Sequence, residues 1–463
     1  MRHGRINGFM KKVQQEDYII QNLGECAIQS PVIVNDFTPD SKRLLLKQYL
    51  DYSNTGKNKD EKVKREIPLS VEVAGPREKI FFDPSKTKAA IVTCGGLCPG
   101  INDVIRAIVM QLYHRYGVRN IIGIKYGFQG LIPSYGHEIV ELTPESVENI
   151  HREGGSILSS SRGQQNIGEM VDALSRMNVN IFFCIGGDGT MRAAERITEE
   201  ITRRKLSISL IGIPKTIDND LNFVQKTFGF DTAIAESENA ISCAHVEAKG
   251  APMGIGLVKI MGRLSGQIAV GAALAQNDVN FVLIPEVPFD LEGENGLFKA
   301  LEKRLIRRKH CVILVAEGAG QELMRTNNTP QETDASGNIR LLDIGYFLKV
   351  RIEDYFKKAG IQINLKYIDP SYMIRSVRAS ASDSIYCSAL GQYAVHAGMA
   401  GKTGMLVGLL KDEYVHLPIR VVTSGKQIDP EGNLWMRVLE STGQPPSLLN
   451  KPLDPPVEEH VVI

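Results

Sequence analysis

Apolar and polar residues follow two alternating patterns along most of the chain. Short runs such as 89–93, 281–284 and 311–315 are almost wholly apolar, which is typical of strands in parallel sheets covered on both faces. Between such runs lie longer stretches such as 102–116, where apolar residues recur three and four positions apart, the spacing of an amphipathic helix. The chain is therefore predicted to repeat a strand-turn-helix unit from Lys88 onward.

This pattern predicts a definite set of elements. The predicted strands are 89–93, 120–124, 256–260, 281–284, 311–315, 361–367 and 404–410, with two more at the starts of segments 180–190 and 209–220. The predicted helices are 102–116, one that opens at Thr143, 167–178, 190–205, 232–248, 265–276, 295–308, 343–359 and 380–399. Repeated βα units form parallel sheets joined by right-handed crossovers. Because so many strands exceed one comfortable sheet, we expect an α/β fold with two α/β domains.

The two ends of the chain lack this rhythm. Residues 1–87 form an N-terminal extension, in which the dense charge run 57–66 is predicted to be a solvated loop or frayed helix rather than an interaction arm. Apolar runs around Val32 and Val71 are expected to pack on the main body. The proline-containing tail from Gln444 is predicted to be extended and peripheral.

Composition narrows the class of protein. The 463 residues are 43% apolar and 23% charged with a net charge of +1, so nothing global indicates nucleic acid or an acidic membrane as a partner. No run reaches transmembrane length, and no apolar stretch follows the basic first five residues as in a secretory signal. Seven scattered cysteines without paired CxxC clusters favour reduced thiols. A metal site at Cys94 and Cys98 is not favoured, and we expect a cytoplasmic protein.

The segment 186–190, Gly-Gly-Asp-Gly-Thr, lies between a predicted strand and a predicted helix. Glycines let phosphate oxygens reach main-chain amides, and a helix N-terminus adds partial positive charge. Asp188 could hold Mg²⁺ bridging two phosphates. The plain alternative is a βα turn that uses glycine for its geometry. Because this pentapeptide also occurs in NAD kinases and lipid kinases, it indicates phosphoryl transfer better than it names a substrate.

The segment 216–220, Thr-Ile-Asp-Asn-Asp, places two carboxylates two residues apart. In an extended segment both face the same way, and their repulsion can make one more basic while a cation holds the other. A general base beside a metal-binding acid would activate a sugar hydroxyl. The alternative is an Asx-rich turn with a chance acidic pair. A third glycine turn, 95–100, is weak by itself, and the chain has no Rossmann fingerprint.

Taken together, these motifs resemble those of the 6-phosphofructokinases. The resemblance runs from about Pro76 to Leu417 and includes TCGGLCPG from Thr93, GGDGT from Gly186, PKTIDND from Pro214, MGR from Met261 and the block 366–375, all in the family's order. The sequence is most similar to the longer ATP-dependent subgroup related to the pyrophosphate-dependent enzymes. The resemblance implies two facing three-layer α/β lobes with largely parallel sheets, and transfer of a phosphoryl group from Mg-ATP to the 1-hydroxyl of fructose 6-phosphate.

The resemblance also implies domain boundaries and assembly. It divides the chain into an ATP-binding lobe at 88–230, a fructose 6-phosphate lobe at 231–378, a return to the first lobe at 379–420 and a tail at 421–463. It further implies Mg²⁺ as cofactor and a homotetramer, with a dimer as the alternative.

Residue roles carry over by motif. Asp218 is implied as the general base on the sugar hydroxyl, with Arg162 holding the transferring phosphate and Asp220 assisting charge placement. The implied ATP-binding residues are Gly96, Phe128, Arg162, Gly187, Asp188, Gly189 and Thr190, with Asp188 as metal ligand. The implied sugar-phosphate residues are Thr216, Asp218, Met261, Gly262, Arg263, Glu317, Lys366, Tyr372 and Arg375.

Several positions depart from the shorter bacterial enzymes. Lys366 and Tyr372 stand where those enzymes have arginine and histidine, and no arginine occurs between 244 and 260, so Lys249 or Lys259 is left as the substitute. Lys215 is typical of pyrophosphate users. Gly189 favours ATP, because the pyrophosphate enzymes carry an aspartate there that would obstruct the nucleotide's α-phosphate.

Three other functions remain open on the sequence. The first is the same transfer with pyrophosphate as the phosphoryl donor, which Lys215 indicates. A catalytically silent regulatory subunit that binds the sugar phosphate has little support, because all three acids and Arg162 are present. An NAD or lipid kinase is raised by the 186–190 motif alone and is opposed by PKTIDND and the 366–375 block.

Overall fold

The computed structural model of the protein describes residues 14–47, 68–325, 332–333, 339–422 and 425–451. The charge run at 57–66 and the tail beyond 451 therefore lie outside the described residues.

The described residues form seventeen strands. In chain order they are β1 (Gln21–Asn22), β2 (Ile28–Gln29), β3 (Arg43–Leu45), β4 (Ser70–Val73), β5 (Lys79–Ile80), β6 (Lys88–Thr93), β7 (Asn120–Ile124), β8 (Ile139–Glu141), β9 (Ile181–Gly186), β10 (Ser209–Pro214), β11 (Gly254–Ile260), β12 (Phe281–Leu283), β13 (His310–Ala316), β14 (Asn364–Ile368), β15 (Lys402–Thr403), β16 (Met405–Leu410) and β17 (Glu413–Pro418).

The same residues form eleven α-helices. They are α1 (Ile101–Met110), which continues as a π-helix over Gln111–Tyr116, α2 (Ile167–Arg176), α3 (Asp188–Arg203), α4 (Phe230–Gly250), α5 (Gln267–Ala275), α6 (Leu297–Arg308), α7 (Gln321–Met324), α8 (Ile344–Lys358), α9 (Ser371–Ser376), α10 (Ala381–Met399) and α11 (Asn433–Thr442).

The larger sheet has nine strands in the order β3-β4-β17-β16-β10-β9-β6-β7-β8. Its five central strands, from β16 to β7, run parallel, whereas β17, β4, β3 and β8 pair antiparallel at the two sides. The chain passes from β6 outward to β7 and then returns to the other side of β6 to form β9. The strand order therefore reverses between β6 and β9, and a crevice for ligands opens at such a point beyond the carboxyl ends of the strands.

The smaller sheet has four parallel strands in the order β12-β13-β11-β14. Strand β13 lies between β11 and β12, so the carboxyl ends of β11 and β13 are side by side. In register, Ile260 at the end of β11 is opposite Ala316 at the end of β13.

Three hydrophobic cores show how the layers stack. The first lies between the two sheets and is built from α1, α4, α5 and α10. The second joins α2 and α3 to the other face of the larger sheet, and the third joins α6 and α8 to the other face of the smaller sheet. Each sheet thus has helices on both faces, which confirms the predicted fold class. We call the larger sheet with α1, α2, α3 and α10 the larger lobe, and the smaller sheet with α4, α5, α6 and α8 the smaller lobe.

Local sequence explains several element boundaries. The side chains of Asn166, Asp343 and Ser380 accept hydrogen bonds from backbone amides in the first turns of α2, α8 and α10, as N-cap residues do. Gly100, just before α1, has a φ of 101°, which favours glycine. A Cβ there would also lie 2.5 Å from the Cys387 sulfur, so the turn after β6 requires glycine.

The helix predicted to open at Thr143 is wrong. The amide of Thr143 donates to the Ser146 hydroxyl at 2.9 Å, and the amide of Ser146 donates to the Thr143 hydroxyl at 3.2 Å. These side chains satisfy the backbone locally and so compete with a helix. Only a short 3-10 helix, Ile150–Arg152, follows. The other predicted helices and strands are present with small shifts at their ends.

The N-terminal extension packs on the body as expected: Val71 lies in β4 of the larger sheet and Val32 is buried. The tail, however, is not peripheral over its described part. The helix α11 before this tail buries Trp435 in the core between the sheets, and within the tail itself the Gln444 side chain accepts a 2.7 Å hydrogen bond from the Val282 amide of β12. Leu448 is also buried. Proline content indicated extended backbone but not this packing against the smaller lobe.

Within the part of the chain that the structure describes, no helix combines the length and apolar character needed to cross a membrane.

Candidate active site

Three loops of the larger lobe meet beyond the carboxyl ends of β6, β9 and β10. The amide of Cys94 donates to the carbonyl of Ile185 at 2.9 Å, and the amide of Lys215 donates to the carbonyl of Gly186 at 2.8 Å. These bonds continue the strand pairing past the sheet edge. The glycine turn after β6, the 186–190 segment and the 214–220 segment are therefore held together at the crevice.

The 186–190 segment joins β9 to α3 without a gap. Gly186 ends the strand, Gly187 is the N-cap and Asp188 is the first helical residue. The free amides of this helix start can receive phosphate oxygens. A Cβ on Gly189 would meet nothing within 4 Å, so the space beside this glycine is open.

Asp188 presents its carboxylate at the start of α3, where Oδ2 pairs with the Arg192 guanidinium one turn later. The Asp188 side chain is 28% exposed. Among the described residues, no cluster of three or more histidine, cysteine or acidic side chains forms a ready-made metal site. Mg²⁺ commonly uses one or two carboxylates together with substrate phosphates and water, and a partly exposed carboxylate beside a helix start with free amides fits that donor set.

The 216–220 segment forms a compact turn after β10. The Thr216 hydroxyl donates to Oδ1 of Asp220 at 2.8 Å and accepts from the Asp218 amide at 3.2 Å. Asn219, with a φ of 53°, accepts a 3.1 Å hydrogen bond from the Thr227 amide. The turn thereby fixes the backbone on both sides of Asp218.

Asp218 is buried at 8% exposure. Burial, followed by the negative charges of Asp220 and Glu317, raises the pKa of its carboxyl to about 8, against the opposing effects of Arg263 and Lys215. A carboxyl whose pKa lies near neutrality is suited to proton transfer. The same interactions show that residues from both lobes surround Asp218, because Arg263 and Glu317 follow β11 and β13 of the smaller lobe.

Lys215 is a buried cation of this site that was not among the residues implied to bind substrate. It is buried, its Nζ donates to the Gly96 carbonyl at 2.6 Å, and burial lowers the pKa of its ammonium group. Its charge also acts on Cys94, Cys98 and Asp218. The sequence signal for this role is the lysine directly before the 216–220 segment.

Gly96 also lies next to the predicted phosphate-binding arginine. A Cβ on Gly96 would lie 3.3 Å from Nη2 of Arg162. Phe128 and Thr190 both act on the Cys94 thiol: burial raises its pKa to about 12, against the opposing effects of the Phe128 backbone and the Thr190 side chain. The structure thus brings Gly96, Arg162, Phe128 and Thr190 to the end of β6.

Met261, Gly262 and Arg263 follow β11, and Glu317 follows β13. Gly262 has a φ of 144° and Arg263 a φ of 50°, so the chain turns sharply here. The Arg263 amide donates to Oε1 of Glu317 at 2.9 Å, while Met261 is 7% exposed. The Glu317 carboxylate therefore bridges two adjacent strand ends on the side of the smaller lobe.

The predicted block 366–375 lies at the β14 edge of the smaller sheet. Lys366 is an exposed residue of β14, and Tyr372 on α9 is 74% exposed. The Arg375 guanidinium stacks 4.5 Å from the centre of the Tyr372 ring. None of these three contacts the group around Asp218 through a hydrogen bond or ion pair among the described residues.

The two lysines left as substitutes for the missing arginine differ in position. Lys259, near the end of β11, pairs with Asp369 at 2.8 Å and Asp343 at 3.4 Å. Lys249 instead acts electrostatically on His310 at the amino end of β13, the opposite end of the sheet from the site.

Residues 425–428, assigned to the tail by sequence, reach the site. The amides of Gly425 and Lys426 both donate to the Asp220 carbonyl at 2.9 Å, and the Ile428 amide donates to Glu286 of the smaller lobe at 3.0 Å. This segment connects the 216–220 turn to the smaller lobe. Nothing in its sequence marks that contact, because it rests on backbone groups.

The chain is similar to known proteins over most of its length. Residues 88–398 match the phosphofructokinase family. The chain is 50% identical over 450 residues to the ATP-dependent 6-phosphofructokinase of Borreliella burgdorferi, covering 95% of this chain and all of that protein. It is 51% identical over 382 residues to the ATP-dependent 6-phosphofructokinase of Amycolatopsis methanolica, covering 81% and 83% of the two chains.

Among solved structures, the pyrophosphate-dependent phosphofructokinase of Marinobacter aquaeolei matches with a TM-score of 0.62 and 19% identity, over 80% of this chain and 94% of that one. At 19% identity the match shows similarity of fold alone. The two-lobed fold, the strand-end motifs and the extent of the sequence match show that the chain belongs to the phosphofructokinase family.

Proposed function

We propose that the protein transfers the γ-phosphoryl group of Mg-ATP to the 1-hydroxyl of fructose 6-phosphate, giving fructose 1,6-bisphosphate and ADP, the committing phosphorylation of glycolysis. The observation that carries this proposal is the position of Asp218. Its buried carboxyl lies between phosphate-binding loops of the larger lobe and Arg263 and Glu317 of the smaller lobe. A single base at that junction can face a sugar hydroxyl on one side and a phosphoryl group on the other.

In this mechanism the Asp218 carboxylate accepts the proton of the sugar 1-hydroxyl while the oxygen of that hydroxyl bonds to the γ-phosphorus. The bond from that phosphorus to the bridging oxygen breaks, and ADP leaves. Arg162 and the Gly96 amide hold the transferring group. The Lys215 ammonium contributes positive charge next to Gly96, whose carbonyl it contacts. Most of the rate gain comes from positioning and charge neutralisation rather than covalent chemistry.

Asp188 is the residue that would hold Mg²⁺, with Asp220 held by Thr216 nearby to place charge. When bound, the ion would neutralise phosphate charge and lower the pKa of Asp218, so that the base is ionised at neutral pH. Gly187, Gly189 and Thr190 at the start of α3, together with Phe128, form the proposed nucleotide side of the site.

The sugar phosphate would bind between the lobes. Glu317 accepts hydrogen bonds from sugar hydroxyls, and Thr216 contacts the end that is phosphorylated. Lys366, Arg375 and the phenol of Tyr372, all in the smaller lobe, hold the 6-phosphate. The proposed sugar-phosphate residues are Thr216, Met261, Gly262, Arg263, Glu317, Lys366, Tyr372 and Arg375. In this assignment the ATP-binding part of the chain consists of 88–230 and 379–420, and the sugar-binding part consists of 231–378.

ATP is favoured as donor by the open space beside Gly189 and by the names of the closely similar relatives. The second candidate donor is pyrophosphate, which the buried Lys215 ammonium would suit. A homotetramer in the cytoplasm completes the proposal, with a dimer as the alternative assembly.

A donor assay tests the proposal. Purified protein receives fructose 6-phosphate and Mg²⁺ with either ATP or pyrophosphate, and fructose 1,6-bisphosphate is measured by coupled oxidation of NADH. We expect turnover with ATP and at most a trace with pyrophosphate. Strong turnover with pyrophosphate alone would reverse the donor. Sugar-phosphate binding without turnover on either donor would indicate a regulatory subunit instead. Asp218→Asn serves as the matched blank for contaminating kinase.

A further inference from the structure

The segment 425–428 lies beyond the residues that match the phosphofructokinase family, which end at 398, yet it is hydrogen-bonded to the 216–220 turn. The amides of Gly425 and Lys426 both donate to the Asp220 carbonyl at 2.9 Å. Main-chain groups of a folded protein are costly to leave unpaired, so these bonds hold the turn in place. They fix the position of the residue that carries the second carboxylate of the site.

The side chain of Lys426 makes a second contact with the same loop. Its ammonium nitrogen donates to the carbonyls of Val224 at 3.1 Å and Gln225 at 3.0 Å, which follow shortly after Asp220 in the chain. Hydrogen bonds from a charged donor are stronger than those between neutral groups. Lys426 therefore holds both the 216–220 turn and the chain that leaves it.

The positive charge of Lys426 lies where it acts on the acidic pair. Burial lowers the pKa of the Lys426 ammonium, and the negative charge of Asp220 opposes this effect. Burial, followed by the same Asp220 charge, raises the pKa of the Asp218 carboxyl. Because a cation beside Asp220 offsets part of the negative charge that Asp218 meets, Lys426 favours the ionised form of the proposed base.

The other end of the segment is fastened to the smaller lobe by one carboxylate. Oε1 of Glu286 accepts a hydrogen bond from the Ile428 amide at 3.0 Å, and its two oxygens accept from the Gly266 amide at 2.9 and 3.1 Å. Gly266 is the N-cap of α5 and comes shortly after Arg263. Glu286 therefore connects the loop of Arg263 to the segment that holds the 216–220 turn.

We propose that the segment 425–428 is a positioning element for phosphoryl transfer. Lys426 is the positioning residue that holds and partly neutralises Asp220, and Glu286 anchors the segment on the smaller lobe. Neither residue is assigned a contact with a substrate, so each acts through the 216–220 turn. This inference rests on the proposed function and extends it, because it gives the C-terminal part of the chain a role in keeping Asp218 ionised and in place.

The main test removes the ammonium of Lys426 while keeping most of the length of the side chain. In Lys426→Met the acid side of the pH profile of kcat should move to higher pH, because Asp218 then meets more uncompensated negative charge. A move of about one pH unit lowers kcat about tenfold at any pH on that side. The KM for Mg-ATP should stay within about twofold of wild type, since the proposed ATP-binding residues lie on other loops.

Three further variants separate charge from simple fastening. Lys426→Arg keeps the charge and should restore most of kcat, whereas Lys426→Gln keeps amide donors without the charge and should behave like Lys426→Met. Lys411→Met is the matched control, because the Lys411 ammonium also donates to two consecutive carbonyls, those of Leu45 at 2.9 Å and Leu46 at 2.7 Å. It should keep the wild-type profile.

Two results would overturn this role of Lys426. One is a kcat of Lys426→Gln or Lys426→Met that stays within about threefold of wild type along the whole acid side of the profile, because the charge would then have no effect on the reaction. The other is an equal shift in Lys426→Met and Lys411→Met, because fastening a loop anywhere in the larger lobe would then produce it.

Glu286→Gln tests the anchor. An amide nitrogen cannot accept from the Gly266 and Ile428 amides, so the segment should loosen and kcat should fall severalfold. Because both residues act through the same segment, the double variant of Glu286→Gln with Lys426→Met should lose less than the product of the two single losses. A fully multiplicative loss would overturn the anchoring role, since the two residues would then act independently.

A measurement without turnover keeps this inference separate from the proposed function. In the ligand-free protein, the melting temperature gained through Asp218→Asn should be larger in the Lys426→Met background than in the wild type at pH 9, and equal in both at pH 5, where the carboxyl is protonated. The other charges that act on this carboxyl, those of Glu317, Arg263 and Lys215, are the same in both backgrounds.

The Lys411→Met background should give the wild-type gain at both pH values. Equal gains at pH 9 in the wild type and in Lys426→Met would overturn the inference whether or not the protein turns over. Absence of wild-type turnover with either donor would instead contradict the proposed function, and the melting comparison would still decide whether Lys426 acts on Asp218.

Discussion

The hydroxyl of Thr216 donates a 2.8 Å hydrogen bond to Oδ1 of Asp220, and it accepts another from the Asp218 amide. One hydroxyl thus orients the second carboxylate and the backbone of the first. The two acids are consequently unequal: Asp220 is anchored by a hydrogen bond, whereas burial and the Asp220 charge raise the pKa of Asp218. An environment that raises the pKa of one carboxyl group beside a second one indicates which of the two is suited to proton transfer.

The first prediction concerns Asp218 as general base. Asp218→Asn keeps the shape of the side chain but cannot accept the proton, so kcat should fall by about a hundredfold to ten-thousandfold. The dissociation constant for Mg-ATP should stay close to that of the wild type, because the proposed nucleotide-binding residues lie on the other loops. Steady-state kinetics and calorimetry give both values. A kcat within threefold of wild type would remove Asp218 from the mechanism.

The second prediction concerns pH and stability. The unfolded Asp218 carboxyl ionises near its ordinary pKa of 3.8, whereas in the fold the pKa is raised to about 8. Between these values the folded state binds one more proton, so its stability falls as pH rises, by up to about 1.4 kcal/mol per pH unit. Asp218→Asn removes this penalty. The ligand-free variant should therefore gain in melting temperature over the wild type as pH goes from 5 to 8.

The exposed carboxylate Asp172 on α2 supplies the control. Asp172→Asn should show a melting-temperature difference from wild type that does not grow between pH 5 and 8. If the Asp218→Asn difference were equally flat, the buried carboxyl would already be ionised in the free protein, and its raised pKa would be wrong.

Much of the candidate site could be predicted because parallel strands gather their carboxyl ends at one edge. The motifs after β6, β9 and β10 are far apart in sequence, yet three adjacent apolar strands necessarily bring them together. The same physical argument explains why Arg263 lies beside Glu317, since they follow the adjacent strands β11 and β13, although in the sequence both residues were indicated only by the family resemblance. What the sequence pattern supplied was the strand ends and the residue types found there.

Other contacts depend on details that no pattern contains. The reach of the Lys215 side chain to the Gly96 carbonyl depends on a rotamer chosen by packing. The hold of Gly425 and Lys426 on Asp220 uses main-chain groups, which every residue has. The failed helix at Thr143 shows the same limit, since Thr and Ser side chains satisfied the backbone in a turn. In all three cases the outcome depends on which particular groups meet in the folded chain.

The third prediction concerns donor choice at Gly189. The position has open space around it and its φ is not positive, so Gly189→Asp should fold without strain. The new carboxylate would face the nucleotide phosphates, and the KM for ATP should rise at least about tenfold, the effect of one unfavourable charge of roughly 1.4 kcal/mol. Gly189→Ser adds bulk without charge and should raise it less. Equal KM values for ATP in Gly189→Asp and the wild type would show that this glycine does not face the nucleotide.

The fourth prediction concerns the metal. Asp188→Asn removes a hard anionic oxygen from the start of α3, so the Mg²⁺ concentration giving half-maximal rate should rise severalfold at fixed ATP. Loss of the exposed pair with Arg192 should change stability by no more than about 0.5 kcal/mol, so unfolding does not explain the effect. Asp172→Asn is again the matched control. An unaltered Mg²⁺ requirement in Asp188→Asn would assign the ion to another carboxylate.

The last prediction concerns how the N-terminal extension is fastened. Glu72 of β4 is buried, and its Oε1 contacts Arg77 at 2.6 Å, Lys402 at 2.8 Å and His416 at 2.9 Å. Although burial opposes ionisation, the hydrogen bond with His416 and the charge and hydrogen bond of Lys402 hold the pKa of Glu72 well below its usual range. Glu72→Gln would leave Lys402, at 2% side-chain exposure, with an incompletely compensated buried charge. Such losses cost about 3–5 kcal/mol, which denaturant unfolding can measure.

Asp40→Asn is the control: it removes the exposed acid of the same cluster, at 61% side-chain exposure, and should cost at most about 1 kcal/mol. Because the pKa of Glu72 is lowered in the fold, its contribution is present at neutral pH and is lost only as pH falls below the ordinary glutamate range. Equal costs for the two variants would show that the extension is held by its apolar contacts rather than by this buried carboxylate.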